Sequence, residues 1–429
     1  MYLLKPKLIT ALILYCNLTL MEAATYIHAG SLIDGESTSP LPEMTIVIEN
    51  NKITKIDAGY IEPSLEDEYI DLTAYTVLPG LIDMHVHLTS QSSPSAYLER
   101  VTLNTADYTI RGAVNAKKTL MSGFTTVRNL GDSDSITISL RNAIKEGLIP
   151  GPRIYSAGKS IATTGGHADP SNSLRKDLTV DLGPEDGIIN GKEDAYQAVR
   201  YRYKEGADLI KITATGGVLS NAKNGKNPQM TLEEISAIVS AAKDYGFKVA
   251  AHGHGAEGIK RAIKAGVHSI EHGTLMDLET IDLMRKNKVY YVPTLLAGNW
   301  VTEKAKIQNY YPEAVRVKSL EIGPKLASTF LKAYQAGVKI AFGTDSGVSP
   351  HGENAKEFKL MVDSGMSNME AIQSATKHAS ILLGEPNIGT ISIGNVADII
   401  AVSGDPLEDI SILESVDFVM KEGEVYKTL

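Results

Sequence analysis

Apolar residues in this chain fall into short runs separated by stretches with helical spacing, and this alternation is its dominant pattern. Runs near Ile82, Thr125, Ile154, Leu209, Val249, Ser269, Tyr291 and Ile340 read as eight strands divided by helical segments. Eight such units predict an α/β chain in which residues 79–387 form a (β/α)8 TIM barrel. The helices carry their own start signals. In Thr231-Leu232-Glu233-Glu234 the hydroxyl and the last carboxylate can each satisfy the other's end of the first turn, ahead of the segment from Ile235 to Ala242. The polar, glycine-containing stretch from Gly216 to Gln229 is long for a strand-to-helix connection and reads as a loop over the mouth of a site.

Residues 25–78 and 388–429 read differently, as strands joined by turns. Examples are Ile46 to Ile53, whose Asn50-Asn51 pair suits a hairpin, and the tail segments Ala397 to Val402 and Phe418 to Val425. Neither end is large enough to bury a core alone, so the two are expected to pair into one small β-sandwich domain.

Ahead of these strands, Lys5 and Lys7 precede the apolar stretch Leu8 to Leu20, which closes on Met21-Glu22-Ala23-Ala24. That layout predicts a signal peptide over residues 1–24 and export to the periplasm or beyond, with no stable membrane anchor. Cys16 is the only cysteine, so a processed chain has neither disulfides nor thiol ligands, and metal binding must rely on His, Asp, Glu and Lys. A formal charge of −9 and the lack of any basic run argue against a nucleic-acid partner. Self-association is left open.

Candidate chemistry sits at the ends of the apolar runs. In Leu81-Ile82-Asp83-Met84-His85-Val86-His87 the period of two puts His85 and His87 on one face, as a bidentate metal clamp or as two solvated imidazoles. Lys211 lies within Ala207 to Thr213, where an unpaired ammonium is costly. It must reach solvent, find a carboxylate, or lose its proton; a neutral amine can add carbon dioxide to give a carbamate able to bridge two cations. Val249-Ala250-Ala251-His252 and Ser269-Ile270-Glu271-His272 flank the helical stretch Ala256 to Ala265, so both histidines end parallel strands of a βαβ unit. Lys339 to Asp345 ends in a carboxylate in the same way. Each has a plain alternative, a histidine bonded to a carbonyl or an aspartate capping a helix, but together the six positions read as a two-metal hydrolase site.

These motifs, in this order, resemble the amidohydrolase superfamily, specifically the imidazolonepropionase-like branch holding Xaa-Pro dipeptidases and ochratoxin-degrading amidases. The resemblance spans nearly the whole processed chain. Its carriers are Pro79 to His87, Gly123 to Arg128, Lys211 to Gly217, Ile270 to Gly273, Gly343 to Ser346 and the tail from Gly389 to Asp398. It implies two divalent ions, zinc by donor type. His85 and His87 hold one, completed by Asp345; His252 and His272 hold the other; carbamylated Lys211 bridges them. Asn129 departs from the acidic residue expected after Arg128.

Further roles follow as expectations. Asp345 serves as general base and then general acid. His254 steadies the oxyanion, or replaces His252 as ligand. His167, in Thr164 to Asp169, touches substrate or faces solvent. Arg128 holds a substrate carboxylate or forms an internal ion pair. His28, His268, His351 and His378 are read as structural. The expected reaction is hydrolysis of an amide in a dipeptide or N-acyl amino acid. A lactone or phosphotriester is the alternative on the same centre, and a non-catalytic scaffold the alternative of another class.

Overall fold

The computed structural model describes residues 23–222 and 224–429; the expected signal peptide falls almost wholly outside them. Strands β1 (Thr25–Leu32), β2 (Leu41–Glu49), β3 (Lys52–Ala58) and β4 (Glu68–Pro79) open the fold. β2 and β3 form the hairpin that Asn50-Asn51 predicted: Glu49 faces Lys52, and both asparagines adopt positive φ, 48° and 65°. β4 runs through Gly80 straight into β5 (Leu81–Val86). A Cβ at Gly80 would lie 2.2 Å from Thr125 Oγ1, which requires glycine at this junction.

From β5 to β13 the pairing is parallel. β5, β6 (Phe124–Asn129) and β7 (Arg153–Ser156) form one sheet, and the two-residue strands β8 (Ala162–Thr163) and β9 (Ile188–Ile189) pair nearby. Strands β10 (Ile210–Thr213), β11 (Val249–Gly255), β12 (Ser269–Leu275) and β13 (Tyr290–Val292) form another. Backbone bonds join the two. On one side Asp208 N–H donates to Ser156 O, and Ile161 bridges Ile212. On the other, segment 339–346 bridges β13 through Tyr291 and Ile340, and β5 through Val86 and Ser346. All eight apolar runs of the sequence therefore occupy neighbouring parallel positions, the last as a bridged segment rather than a full strand. Their side chains are buried on both faces, as helices covering a parallel sheet require. One continuous core joins Leu81, Phe124, Ile212, Ile270 and Phe342 to helix residues such as Ile235 and Ile238. The predicted capping box is present, with Glu234 N–H donating to Thr231 Oγ1 and Thr231 N–H to Glu234 Oε2.

The tail supplies β14 (Ile399–Ser403), β15 (Phe418–Lys421) and β16 (Glu424–Lys427). These join the amino-terminal strands in one seven-stranded sheet, ordered β16-β15-β14-β4-β1-β2-β3. The expected sandwich thus takes the form of a single continuous sheet that curls on itself, because β3 also bonds to residues 394–397 just before β14. Its core draws on both ends, with Ile27, Ile46 and Leu72 packed near Ile399 and Phe418. Arg153 ties this sheet to β7 by donating to Asp398 and Glu422. No helix among the described residues is long and apolar enough to cross a membrane.

Candidate active site

The strand ends converge on a cavity of about 760 Å³ whose lining includes His85, His87, Lys211, His252, His272 and Asp345. Strand alternation alone does not assemble this set. His272 and Asp345 both take positive φ, 69° and 58°, an uncommon conformation for non-glycine residues and one that clusters at functional sites. At His272 this turn breaks the period of two, so that the imidazole joins the cluster that Glu271, its neighbour on the same strand, also reaches. Asp345 is drawn in by its N–H bond to His85 O, 2.7 Å.

Hydrogen bonds fix one nitrogen of each ligand-candidate imidazole. His85 Nδ1 donates to Glu271 Oε2 at 2.9 Å, and His87 Nδ1 to Gly131 O at 3.1 Å. His252 Nε2 donates to Gly216 O at 3.0 Å. His272 Nδ1 pairs with Thr294 Oγ1 at 2.7 Å. The nitrogens left without an outer partner are therefore Nε2 of His85, His87 and His272, and Nδ1 of His252. This is the arrangement in which outer partners orient metal-binding imidazoles. Burial keeps the His85 ring neutral, its pKa lowered to about 4, and pushes His252 and His272 well below the ordinary value.

The anionic and amine groups fit the same picture. Asp345 Oδ1 lies 3.5 Å from His85 Nε2 and 3.3 Å from His87 Nε2. A tetrahedral ion with arms of about 2.1 Å needs donor separations of about 3.4 Å, so these three atoms suit one zinc-sized cation. Burial opposes the Asp345 charge, but His85 and His87 hold its pKa at about 2. Lys211 is 4% exposed, has no ion-pair partner among the described residues, and places Nζ 3.4 Å from His85 Nε2. Burial lowers its pKa to about 8. Solvent is thus missing from its surroundings and no carboxylate pairs with it directly, although the Glu271 and Asp345 charges act on it from within the site.

His254 and His167 also line the cavity. His254 Nδ1 pairs with Thr274 Oγ1 at 2.8 Å, leaving Nε2 uncommitted, and its ring stacks on His272 at 5.1 Å. Both His252 and His254 are therefore within the cluster. His167 stacks on His252 at 4.4 Å, and its Nδ1 has no hydrogen-bond partner. Arg128 does not line the cavity. It is 2% exposed and donates to Met84 O, Ser269 Oγ and Glu271 Oε1, so the internal ion pair replaces the substrate-carboxylate role. The other four histidines stay outside: His28 bonds Ile61 O, His351 bonds Ser90 O, His268 accepts from Val249 N–H, and His378 does not line the cavity.

Two buried carboxylates that the sequence did not single out brace the site. Glu271 links His85 to Arg128, and Asp83 accepts from His85 N–H, Thr344 Oγ1 and Asn354 Nδ2, stitching β5 to segment 339–346. Their signal was a charged residue inside an apolar run, the same anomaly that marks Lys211.

A buried cluster of imidazoles with a carboxylate and a lysine of lowered pKa, opening into a substrate-sized cavity, has the make-up of a hydrolase site. The chain belongs to the amidohydrolase family, whose model matches residues 76–428, and is a hydrolase of amide bonds. A solved Xaa-Pro dipeptidase with bound methionine in its active site is 55% identical, covers 94% of this chain and all of its own, and superposes with a TM-score of 0.93. Ochratoxinase from Aspergillus niger is 33% identical over 94% of this chain and 86% of its own. Imidazolonepropionase from Alteromonas mediterranea is 26% identical over 81% of this chain and 79% of its own.

Proposed function

We propose that this chain is a binuclear, zinc-dependent hydrolase of dipeptides or N-acyl amino acids, built on a (β/α)8 barrel over residues 79–387 with a second domain from residues 25–78 and 388–429. The observation that carries the reading is the tautomer pattern: four histidines each commit one nitrogen to an outer partner, beside a buried lysine with no direct ion-pair partner among the described residues. His85, His87 and Asp345 would hold one ion and His252 and His272 the other. Lys211, as its carbamate, would serve both; adding carbon dioxide to the neutral amine releases one proton. The dipeptidase and ochratoxinase likenesses support the amide-bond substrate. Export after removal of residues 1–24 rests on the pattern of that segment alone.

When bound, the ions would supply a Lewis acid for the scissile carbonyl and lower the pKa of the attacking water. The protein groups then divide the work. Asp345, ionised at neutral pH, accepts the proton from the attacking water and delivers it to the departing nitrogen, so that the amide yields a carboxylate and an amine. His254 offers its uncommitted Nε2 to the carbonyl oxygen as charge develops there. His167, with an unpartnered nitrogen, contacts the substrate. Val218, Val301 and Ile322 belong to one apolar cluster and also line the cavity, which suits a substrate with an apolar side chain.

The test is amine release by the chain from Thr25 onward, loaded with zinc and bicarbonate, against a panel of dipeptides and N-acyl amino acids with apolar side chains. Release that disappears in Lys211→Ala is expected. Silence across the panel with two ions bound would overturn the amide reading and point to lactones or phosphotriesters.

A further inference from the structure

The loop after β10 is held by a buried cation that the hydrolytic scheme does not use. Lys318 projects from the helix Glu313–Ile322, is 4% exposed, and donates to three loop carbonyls: Gly217 O at 2.8 Å, Ser220 O at 2.5 Å and Ala222 O at 2.9 Å. An ammonium has three donors, so all are matched. No carboxylate pairs with it among the described residues. Three loop carbonyls are thus drawn to one point, so the lysine fixes the direction of each of them.

The loop so held meets the site at two points. Gly216, next to the clamped Gly217, presents its carbonyl to His252 Nε2 and thereby sets Nδ1 as the free nitrogen. Val218 and Leu219, within the clamped span, stand in the cavity wall. Gly217 itself lies so close to His167 that a Cβ there would fall 2.1 Å from the ring. The loop therefore touches the His252–His167 stack and the apolar wall together, and its carbonyl directions decide both.

We propose that Lys318 is a positioning residue for the hydrolytic site: by fixing the carbonyls of residues 217–222 it orients His252 through Gly216 and shapes the wall that receives the substrate. This rests on the reading of His252 as a metal ligand. Lys318 does not line the cavity, and its effect passes through the loop.

The experiment compares the zinc-loaded full chain with Lys318→Met by hydrogen exchange, by the rate at which a chelator strips zinc, and by KM and kcat on one dipeptide. The expected result is faster exchange confined to residues 216–222, at least about tenfold faster loss of one of the two zinc ions, and a KM raised at least about tenfold, the size of effect that outer partners of a metal ligand produce. Faster loop exchange with unchanged zinc loss and KM would overturn the proposal. So would faster exchange across the whole chain, which marks a lysine that merely supports the fold. Tyr97→Phe provides a second variant that introduces no buried charge defect, because Tyr97 donates to Leu219 O at 2.7 Å. It should raise KM and leave zinc loss unchanged; equal acceleration of zinc loss would contradict the division of labour within the loop. A wild-type chain that retains no zinc would instead overturn the metal reading, while exchange and KM still report on the clamp.

Discussion

Glu271 on β12 accepts the Nδ1–H of His85 on β5 at 2.9 Å, and its other oxygen takes the Arg128 guanidinium at 2.9 Å. One carboxylate thus sets the tautomer of His85 and neutralises a buried cation. Glu271→Gln keeps an acceptor for His85 but removes the charge. Zinc affinity is expected to fall about 10- to 100-fold, read by competition with a chromogenic chelator. An unchanged affinity would show that the proton position on His85 is set elsewhere.

The same pair predicts an acid profile. Burial opposes the Glu271 charge, but Arg128 and His85 outweigh it and depress the pKa from 4.5 to about 2. A carboxylate with a depressed folded-state pKa contributes stability that is full above about pH 4.5 and lost as pH falls toward 2. In zinc-free protein the stability gap between wild type and Glu271→Gln should therefore be widest above pH 4.5 and close between 4.5 and 2. Urea titrations across that range measure it, and a gap that persists at pH 2 would contradict the assignment.

Arg128→Met distinguishes an internal ion pair from a substrate anchor. Leaving Glu271 buried without its partner should cost about 3–5 kcal/mol, seen as a lower urea midpoint. KM at saturating zinc should change little. A large rise in KM with unaltered stability would restore the substrate role.

Much of this site was legible in the sequence because its chemistry interrupts apolar runs. Lys211, His252 and Asp345 each end or break such a run, and the structure brings all of them to one cavity. Partnerships across strands were not legible. Which oxygen Glu271 gives to His85, or that Arg128 turns inward, depends on neighbours more than a hundred residues distant, and no local pattern encodes that. The positive φ at His272 was hidden for a related reason, since period-two reasoning assumes an unbroken strand. Lys318 was invisible because a lysine on a helix ordinarily faces solvent, and only the returning loop shows what it holds. The curled sheet shared by both chain ends was anticipated as a pairing, but its continuity depends on β4 lying between β1 and β14.

Asp345→Asn tests the proton relay. Asparagine keeps the shape and one oxygen but cannot carry the proton, so kcat should fall by at least about a hundredfold, the usual scale of general acid–base catalysis. Much of the zinc should be retained through the histidines. Wild-type turnover in this variant would remove Asp345 from the relay.

The most direct test of the two-ion centre is a zinc titration of metal-free protein in bicarbonate, following amine release from a cleaved dipeptide at each equivalent. Activity should rise to a plateau at two zinc ions per chain and fail to reach it in Lys211→Ala. A plateau at one ion, or a rate indifferent to zinc, would contradict the binuclear account.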